Sequence, residues 1–152
     1  MFAWRNVRHY TSALTNPRTE ASVRFQLIDR VIEQSADRLV AVKNVTAAEE
    51  YLADHFPTFP ILPGVMMLEA LVQAGRALVE AGGDIGGNLV LKEVRNVRYG
   101  NMVRPGQSLV VEVTLRSGPS ADAPDAPMWD LQGVGKVNDQ VAVQGRFSLA
   151  PL

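Results

Sequence analysis

The spacing of apolar residues changes along this chain, and the middle stretch is the most distinctive. Residues 65–81, VMMLEALVQAGRALVEA, are apolar on nearly every helical face, which is typical of a buried helix. Pro63 stands near the first turn of that stretch, and Gly82 and Gly83 follow it, as expected at the two ends of a helix. The pattern therefore predicts one long, buried helix over residues 65–81.

Alternating apolar positions and β-branched residues predict strands on both sides of the helix. The predicted strands cover residues 39–45, 88–99, 109–115, 129–137 and 140–149. Residues 23–32 fit either a strand or a short helix. In the strand over 88–99, the candidate core positions are Leu89, Leu91 and Val94. The last two strands are expected to form a hairpin that turns at Asn138 and Asp139.

Two connections carry their own signals. Thr46, with Glu49 three residues later, has the spacing of a capping box and predicts a helical turn over residues 47–52. The polar, proline-rich residues 117–127 predict a long exposed loop. A lone apolar helix needs a sheet wrapped around it. The order of elements therefore predicts a single α+β domain over residues 1–152, with the helix filling the sheet.

Composition excludes several kinds of site. The chain has 152 residues, of which 47% are hydrophobic and 20% charged, as in ordinary globular domains. Its net charge of −1 offers no general attraction for nucleic acid. It has no cysteine and only two histidines, His9 and His55, so disulfides, thiolate chemistry and a multi-histidine metal site are not expected. We expect no metal and no cofactor.

The N-terminal residues carry arginines and hydroxyl groups but no long apolar block. They therefore do not resemble a secretory signal, and no apolar run in the chain is long enough to span a bilayer. Together with the absence of cysteine, this favours a cytoplasmic location without membrane insertion. Residues 1–20 are expected to form a flexible arm, with a basic docking arm as the alternative.

The candidate chemistry lies at the junction of a proline-rich loop and the helix. Residues 55–64, HFPTFPILPG, hold three prolines and cannot form a regular helix. His55 begins this loop, and Glu69 lies within two turns of the helix start among apolar residues. Burial would raise the pKa of Glu69 and make it a proton donor, while histidine is the usual general base near neutral pH.

The start of the helix offers a place for a carbonyl oxygen. The free backbone N–H groups around Gly64 and Val65 would polarise a thioester carbonyl as its α-carbon loses a proton. Glycine at position 64 would let a ligand approach the backbone closely. The spacing alone leaves an alternative open, in which His55 caps a loop and Glu69 pairs with an arginine such as Arg76.

The segment over residues 55–75, HFPTFPILPGVMMLEALVQAG, resembles the signature of the β-hydroxyacyl-acyl-carrier-protein dehydratases, H-F-P-x-x-P-I-x-P-G-V-x-x-x-E-A-x-x-Q-A. The matching residues are His55, Phe56, Pro57, Pro60, Ile61, Pro63, Gly64, Val65, Glu69, Ala70, Gln73 and Ala74. Residues 27–31, LIDRV, resemble an early element of the same family, and Val103, Pro105 and Gly106 resemble its V-x-P-G turn. Asp54 departs from the pattern, because glycine is common there.

The resemblance implies a hotdog fold, in which a curved antiparallel sheet wraps around one long helix. It implies that His55 removes the α-proton, that Glu69 protonates the departing 3-hydroxyl and that the Gly64 N–H holds the thioester carbonyl. Glutamate rather than aspartate at position 69 indicates the dehydratase-only, FabZ-like branch of the FabA/FabZ family. The substrate would be a 3-hydroxyacyl chain on the phosphopantetheine of acyl carrier protein, in fatty-acid biosynthesis.

The resemblance also implies that the site lies between two chains, with the histidine from one and the glutamate from the other. The expected unit is a homodimer, and a trimer of dimers is the larger expected assembly. Two other functions stay open: a hotdog thioesterase that acts on acyl-CoA or on an acyl carrier protein, and a non-catalytic acyl-binding subunit. The intact pair of His55 and Glu69 argues against both.

Several neighbouring residues have two interpretations each. Gln73, one turn after Glu69, either orients that carboxylate or satisfies a buried backbone group. Phe59 either shapes the mouth of an acyl tunnel or only packs, and Met66 and Met67 either line that tunnel or belong to the core. A basic cluster could receive an acidic carrier protein or be an ordinary solvated face; its members are Lys92, Arg95, Arg98 and Arg104.

Overall fold

The computed structural model describes residues 25–152 except 84, 86, 121 and 123–125. Its strands are β1 Arg30–Gln34, β2 Arg38–Asn44, β3 Leu89–Tyr99, β4 Ser108–Ser117, β5 Trp129–Val137 and β6 Gln140–Pro151. The long helix α1, Gly64–Ala81, lies between β2 and β3 in the chain, and a 3-10 turn, Glu50–Leu52, precedes it. The strands form one antiparallel sheet in the order β1-β2-β4-β5-β6-β3.

The core lies between α1 and one face of this sheet. In β4 the buried positions alternate with exposed ones, as expected for a strand with one face on the core. At the helix, Gly75 brings the two layers close together. A Cβ at Gly75 would lie 2.8 Å from the Phe147 ring and 3.3 Å from Leu131, and both of these side chains are fully buried. The predicted α+β class, with the helix inside the sheet, is confirmed.

The helix is not buried on every side, contrary to the prediction. Val65 is 68% exposed, and Glu69, Gln73 and Arg76 follow it on the same helical face at spacings of four, four and three residues. The opposite face, which includes Leu71, faces the sheet and is buried. This accessible face of α1 is a stripe from Val65 to Arg76 that one chain leaves uncovered.

One predicted core position in β3 is also wrong. Leu89 is buried and Val94 is half-buried, but Leu91 is 36% exposed. β3 lies at the edge of the sheet with β6 as its neighbour, and the register shifts between Leu91 and Glu93. The regular alternation assumed from the sequence is therefore interrupted at that point.

The helix predicted over residues 47–52 is also wrong in its bounds, since only the turn Glu50–Leu52 forms. Half of the capping box is present: the Thr46 N–H donates to Glu49 Oε1 at 3.2 Å, but no side-chain cap bond forms at the start of the turn. The Glu49 carboxylate also joins a largely buried network. Lys43 Nζ lies 2.8 Å from Glu49 Oε1, and the Tyr51 hydroxyl donates to the other carboxylate oxygen.

The charges in this network depend on one another. Burial by itself would raise the pKa of Glu49, but hydrogen bonds from Lys43, Tyr51 and the Thr46 N–H outweigh it and lower that pKa. Burial, together with the hydrogen bond to Glu49, raises the pKa of the Tyr51 hydroxyl well above its usual range. The network connects β2 to the turn that leads into the His55 loop.

The hairpin turn and the loop over residues 117–127 were also predicted from the sequence. Asn138 and Asp139 turn between β5 and β6 with φ angles of 48° and 62°, which confirms the predicted two-residue hairpin turn. The described residues of the predicted loop over 117–127 lie mostly outside regular structure and are largely exposed. The proposed N-terminal arm, residues 1–20, lies outside the described residues, and the segment over 23–32 becomes strand only at Arg30.

Candidate active site

His55 is held by the proline-rich loop that it begins. The Ile61 N–H donates to the His55 carbonyl at 2.9 Å, and His55 Nδ1 lies 3.0 Å from the Ile61 carbonyl oxygen. A carbonyl oxygen can only accept, so Nδ1 is the donor in this contact, and the tautomer that fits it has the free lone pair on Nε2. The ring is half-buried and stacks on Phe56, with 4.5 Å between the ring centres. His55 therefore has the tautomer that a general base acting through Nε2 requires.

The start of α1 presents free backbone donors beside this loop. Neither the Gly64 nor the Val65 N–H donates a hydrogen bond within the described part of the chain. These donors lie at the positive end of the helix dipole, where they can hold a carbonyl oxygen that gains negative charge. Packing gives a second reason for glycine at position 64, besides access to the backbone: a Cβ there would lie 2.9 Å from the ring of Tyr99.

Glu69 lies on the accessible face of α1 and receives two donors on one oxygen. Gln73 Nε2 donates to Glu69 Oε1 at 3.1 Å, and Arg76 donates to the same Oε1 at 3.2 Å. The premise that Glu69 is buried is wrong for the single chain, because its side chain is 36% exposed and ion-paired. The pairing with Arg76, which the sequence left open as an alternative, is present. It does not exclude a catalytic role, since Oε2 accepts no hydrogen bond from the described residues.

Gln73 performs both of the tasks considered for it. Its side-chain oxygen accepts from the Leu27 N–H at 2.8 Å, and its Nε2 donates to the Phe25 carbonyl at 2.8 Å as well as to Glu69. It satisfies backbone groups of residues 25–27 and at the same time orients the carboxylate. One glutamine thereby fixes the LIDRV segment to the helix face that carries Glu69.

His55 and Glu69 are not joined to each other in one chain. No hydrogen bond or ion pair connects them within residues 25–152 as described. Phe59 is 42% exposed, and the Arg104 guanidinium lies 4.4 Å from its ring centre, so this part of the loop is covered by a cation from the β3–β4 connection. Its proposed place at a tunnel mouth stays a prediction.

The sequence did not single out Tyr99, and it considered Arg76 only as a possible ion-pair partner of Glu69. Tyr99, at the end of β3, packs its half-exposed ring where a Gly64 side chain would be, and Arg76 contacts Glu69 directly. The spacing of Glu69 and Arg76 on one helix face is what allowed their pairing to be considered, whereas nothing local in the sequence marks Tyr99. The basic cluster is not uniform, because Arg95 pairs with Asp130 at 3.1 Å and Arg104 lies on Phe59.

The described residues form neither a metal-binding cluster nor a membrane-spanning helix. There, no three histidine, cysteine, aspartate or glutamate side chains are grouped so that they could hold a metal ion. Within the same residues, no helix has the length and apolar character needed to cross a bilayer.

Comparison with known proteins identifies the family. The model of the FabA-like domain matches residues 20–146. The chain belongs to this family. A 3-hydroxyacyl-[acyl-carrier-protein] dehydratase FabZ of Lactococcus lactis is 42% identical over 129 residues, covering 83% of this chain and 84% of the relative. The protein of the same name from a Thermoanaerobacter species is 38% identical over 120 residues, covering 78% of this chain and 80% of the relative.

Solved structures with the same fold support the architecture. The dehydratase heterocomplex ApeI:P from Xenorhabdus doucetiae matches with a TM-score of 0.58 and 16% identity, over 84% of this chain and 99% of that chain. A hypothetical thioesterase with coenzyme A from Streptococcus pneumoniae matches with a TM-score of 0.60 and 9% identity, over 80% of this chain and 86% of that one. At such identities the likeness shows the fold alone, and the predicted hotdog fold is confirmed.

Proposed function

We propose that this chain is a hydro-lyase that removes water from a 3-hydroxyacyl chain on acyl carrier protein and yields the trans-2-enoyl product in fatty-acid biosynthesis. The observation that carries the proposal is the similarity, at 38–42% identity over most of the chain, to relatives that bear the dehydratase name. The His55-to-Gln73 signature is intact within the matched region.

The proposed reaction follows from the groups at the loop and the helix. His55 Nε2 accepts the proton from C2 of the substrate, and the released electron pair forms the C2–C3 double bond. The C3–O bond breaks as Glu69 gives its proton to the departing hydroxyl, which leaves as water. The free N–H groups of Gly64 and Val65 hold the thioester oxygen as it gains charge. Transfer of a proton from the imidazolium to the carboxylate, through solvent, restores the starting state.

We further propose that each site is built by two copies of the chain. Three observations support this arrangement: His55 and Glu69 do not contact each other in one chain, the accessible face of α1 includes the exposed Val65, and β3 is an edge strand with exposed apolar residues at Leu91 and Tyr99. An unpaired strand edge is a ready partner for the same edge of a second copy. A trimer of dimers stays a prediction for the larger assembly.

The carrier-protein partner and the cytoplasmic location belong to the same proposal. The relatives are named for substrates on acyl carrier protein, and an acidic carrier would be attracted to arginines near the loop, of which Arg104 lies on Phe59. The chain's overall charge of −1 makes such attraction a local effect.

An absorbance assay for 2-enoyl formation from 3-hydroxyacyl thioesters tests the proposed reaction. The wild type should form enoyl product, while His55→Ala and Glu69→Gln should each lose on the order of 100-fold or more in kcat, as expected when a general base or acid is removed. Glu112→Gln on the exposed side of β4 is the matched control and should keep the wild-type rate. Release of free thiol by the wild type without enoyl product would contradict the proposal and favour a thioesterase.

A further inference from the structure

Arg76 holds an unusual position on the accessible face of α1. Its side chain is 32% exposed, but its Nε atom is buried and has no hydrogen-bond partner among the described residues. A buried donor without an acceptor is destabilising, so its presence needs an explanation. One end of the guanidinium is well placed, because it donates to Glu69 Oε1 at 3.2 Å. Because this destabilising arginine lies beside the candidate acid, we looked for a function that it performs there.

The two donors to Glu69 give its two carboxyl oxygens different surroundings. Gln73 and Arg76 both donate to Oε1, at 3.1 Å and 3.2 Å, and within the described residues Oε2 accepts from neither of them nor from another group. A carboxyl group fixed by two donors on one oxygen cannot rotate without breaking both bonds. The proton that such a group exchanges is therefore expected on the other oxygen, Oε2, which accepts from neither donor.

We propose that Arg76 is a positioning residue for the dehydration: with Gln73 it anchors Oε1 of Glu69, so that Oε2 carries the proton given to the 3-hydroxyl. This inference rests on the proposed function. In the step, the proton passes from Oε2 to the leaving oxygen, and the negative charge that remains is shared with Oε1. Arg76 is placed to stabilise that charge as it forms, because a nearby cation favours the ionised carboxylate.

Few other charges act on this pair. Arg76 also attracts Glu80, one turn further along α1; burial raises the pKa of Glu80, and Arg76 acts in the opposite direction. No ion pair reaches Glu69 or Arg76 from the strands packed against α1, as far as the described residues show. The charged groups to consider are thus Glu69, Arg76 and Glu80, together with His55 of a second copy in the proposed dimer.

The test uses the full chain and the enoyl-forming assay. Arg76→Met removes the cation and keeps the apolar stem, and it should lower kcat about 10- to 100-fold, with little change in KM, because the acid is misplaced by a fraction of an ångström. Arg76→Lys should recover most of the loss. The matched control is Arg38→Met, which makes the same change on β2, away from helix α1 in the sequence.

Each outcome decides one question. If the wild type is active and Arg76→Met keeps the wild-type kcat, the positioning role is wrong and the proposed function stands. If Arg76→Met loses activity together with thermal stability, and Arg76→Lys does not recover kcat, the residue is only structural and the inference is overturned. If the wild type forms no enoyl product, the proposed function fails, and the positioning role fails with it.

Discussion

Removing one partner of the buried ion pair between Lys43 and Glu49 should strongly destabilise the fold, and one substitution tests this. The side chains of the pair are 9% and 13% exposed, and their charged atoms lie 2.8 Å apart. Lys43→Met keeps the apolar stem but leaves the carboxylate buried without its cation. Loss of one partner from a buried pair costs about 3–5 kcal/mol. Since Tyr51 and the Thr46 N–H still donate to Glu49, we expect the lower end, about 3 kcal/mol.

Two further variants make this prediction specific to the pair. Arg38 stands on the same strand, but its ion pairs with Glu33 and Glu112 are exposed, so Arg38→Met should change the free energy of unfolding very little. Adding Glu49→Gln to Lys43→Met removes the stranded charge, and the double variant should be more stable than Lys43→Met alone. Urea or guanidinium unfolding of the four proteins measures each free energy.

The pH dependence has a definite sign. The pKa of Glu49 is lowered in the fold, so its contribution to stability is present above its ordinary value of 4.5 and is lost as the pH falls through the folded-state value. The wild type should therefore lose more stability on acidification than Lys43→Met does. The reasoning is refuted if Lys43→Met unfolds with the free energy of Arg38→Met, or if Lys43→Met loses as much stability in acid as the wild type does.

Substitutions at three other positions test packing and turns by chemical denaturation. Gly75→Ala should lower the free energy of unfolding by about 1 kcal/mol. The new Cβ would lie 2.8 Å from Phe147, and the overpacking cost of about 1–3 kcal/mol exceeds a helix-propensity gain of about 1 kcal/mol. A net gain in stability would show that the ring moves aside. Gly64→Ala should cost about 1 kcal/mol through contact with Tyr99, and the cost should shrink in a Tyr99→Ala background; an equal cost in both backgrounds would contradict this cause. Asp139 has a φ of 62°, so Asp139→Gly should keep the wild-type stability and Asp139→Ala should lower the free energy of unfolding by about 1 kcal/mol. Equal stability of the two variants would contradict the turn assignment.

Local signals explain why much of the fold could be predicted from the sequence. The strand over 129–137 has the same bounds in the structure, because alternation and the turn at Asn138 and Asp139 define it within a few residues. The helix begins one residue earlier than predicted, at Gly64. The 3-10 turn is shorter than predicted although Glu49 accepts from the Thr46 N–H; Glu49 also pairs with Lys43 from β2, a contact between segments that no helix-capping pattern contains.

The candidate site could be predicted only in part, for a similar reason. His55 and Glu69 stand in a motif with fixed spacing, so the sequence identifies them. The exposure of Val65 depends on how far the sheet of one chain covers α1, and the ring of Tyr99 meets Gly64 from a strand that is distant in sequence. The protonated nitrogen of His55 follows from its contact with the Ile61 carbonyl, which only the folded loop creates.

Subunit mixing tests most directly the claim that His55 and Glu69 of different chains form one dehydratase site. Inactive His55→Ala and inactive Glu69→Gln are combined under conditions that exchange subunits, and differently tagged copies show that mixed dimers form. Each mixed dimer then holds one site with both groups intact, so we predict enoyl formation at about half the rate of a wild-type dimer. Mixed dimers that stay as inactive as the two parents would contradict a shared site.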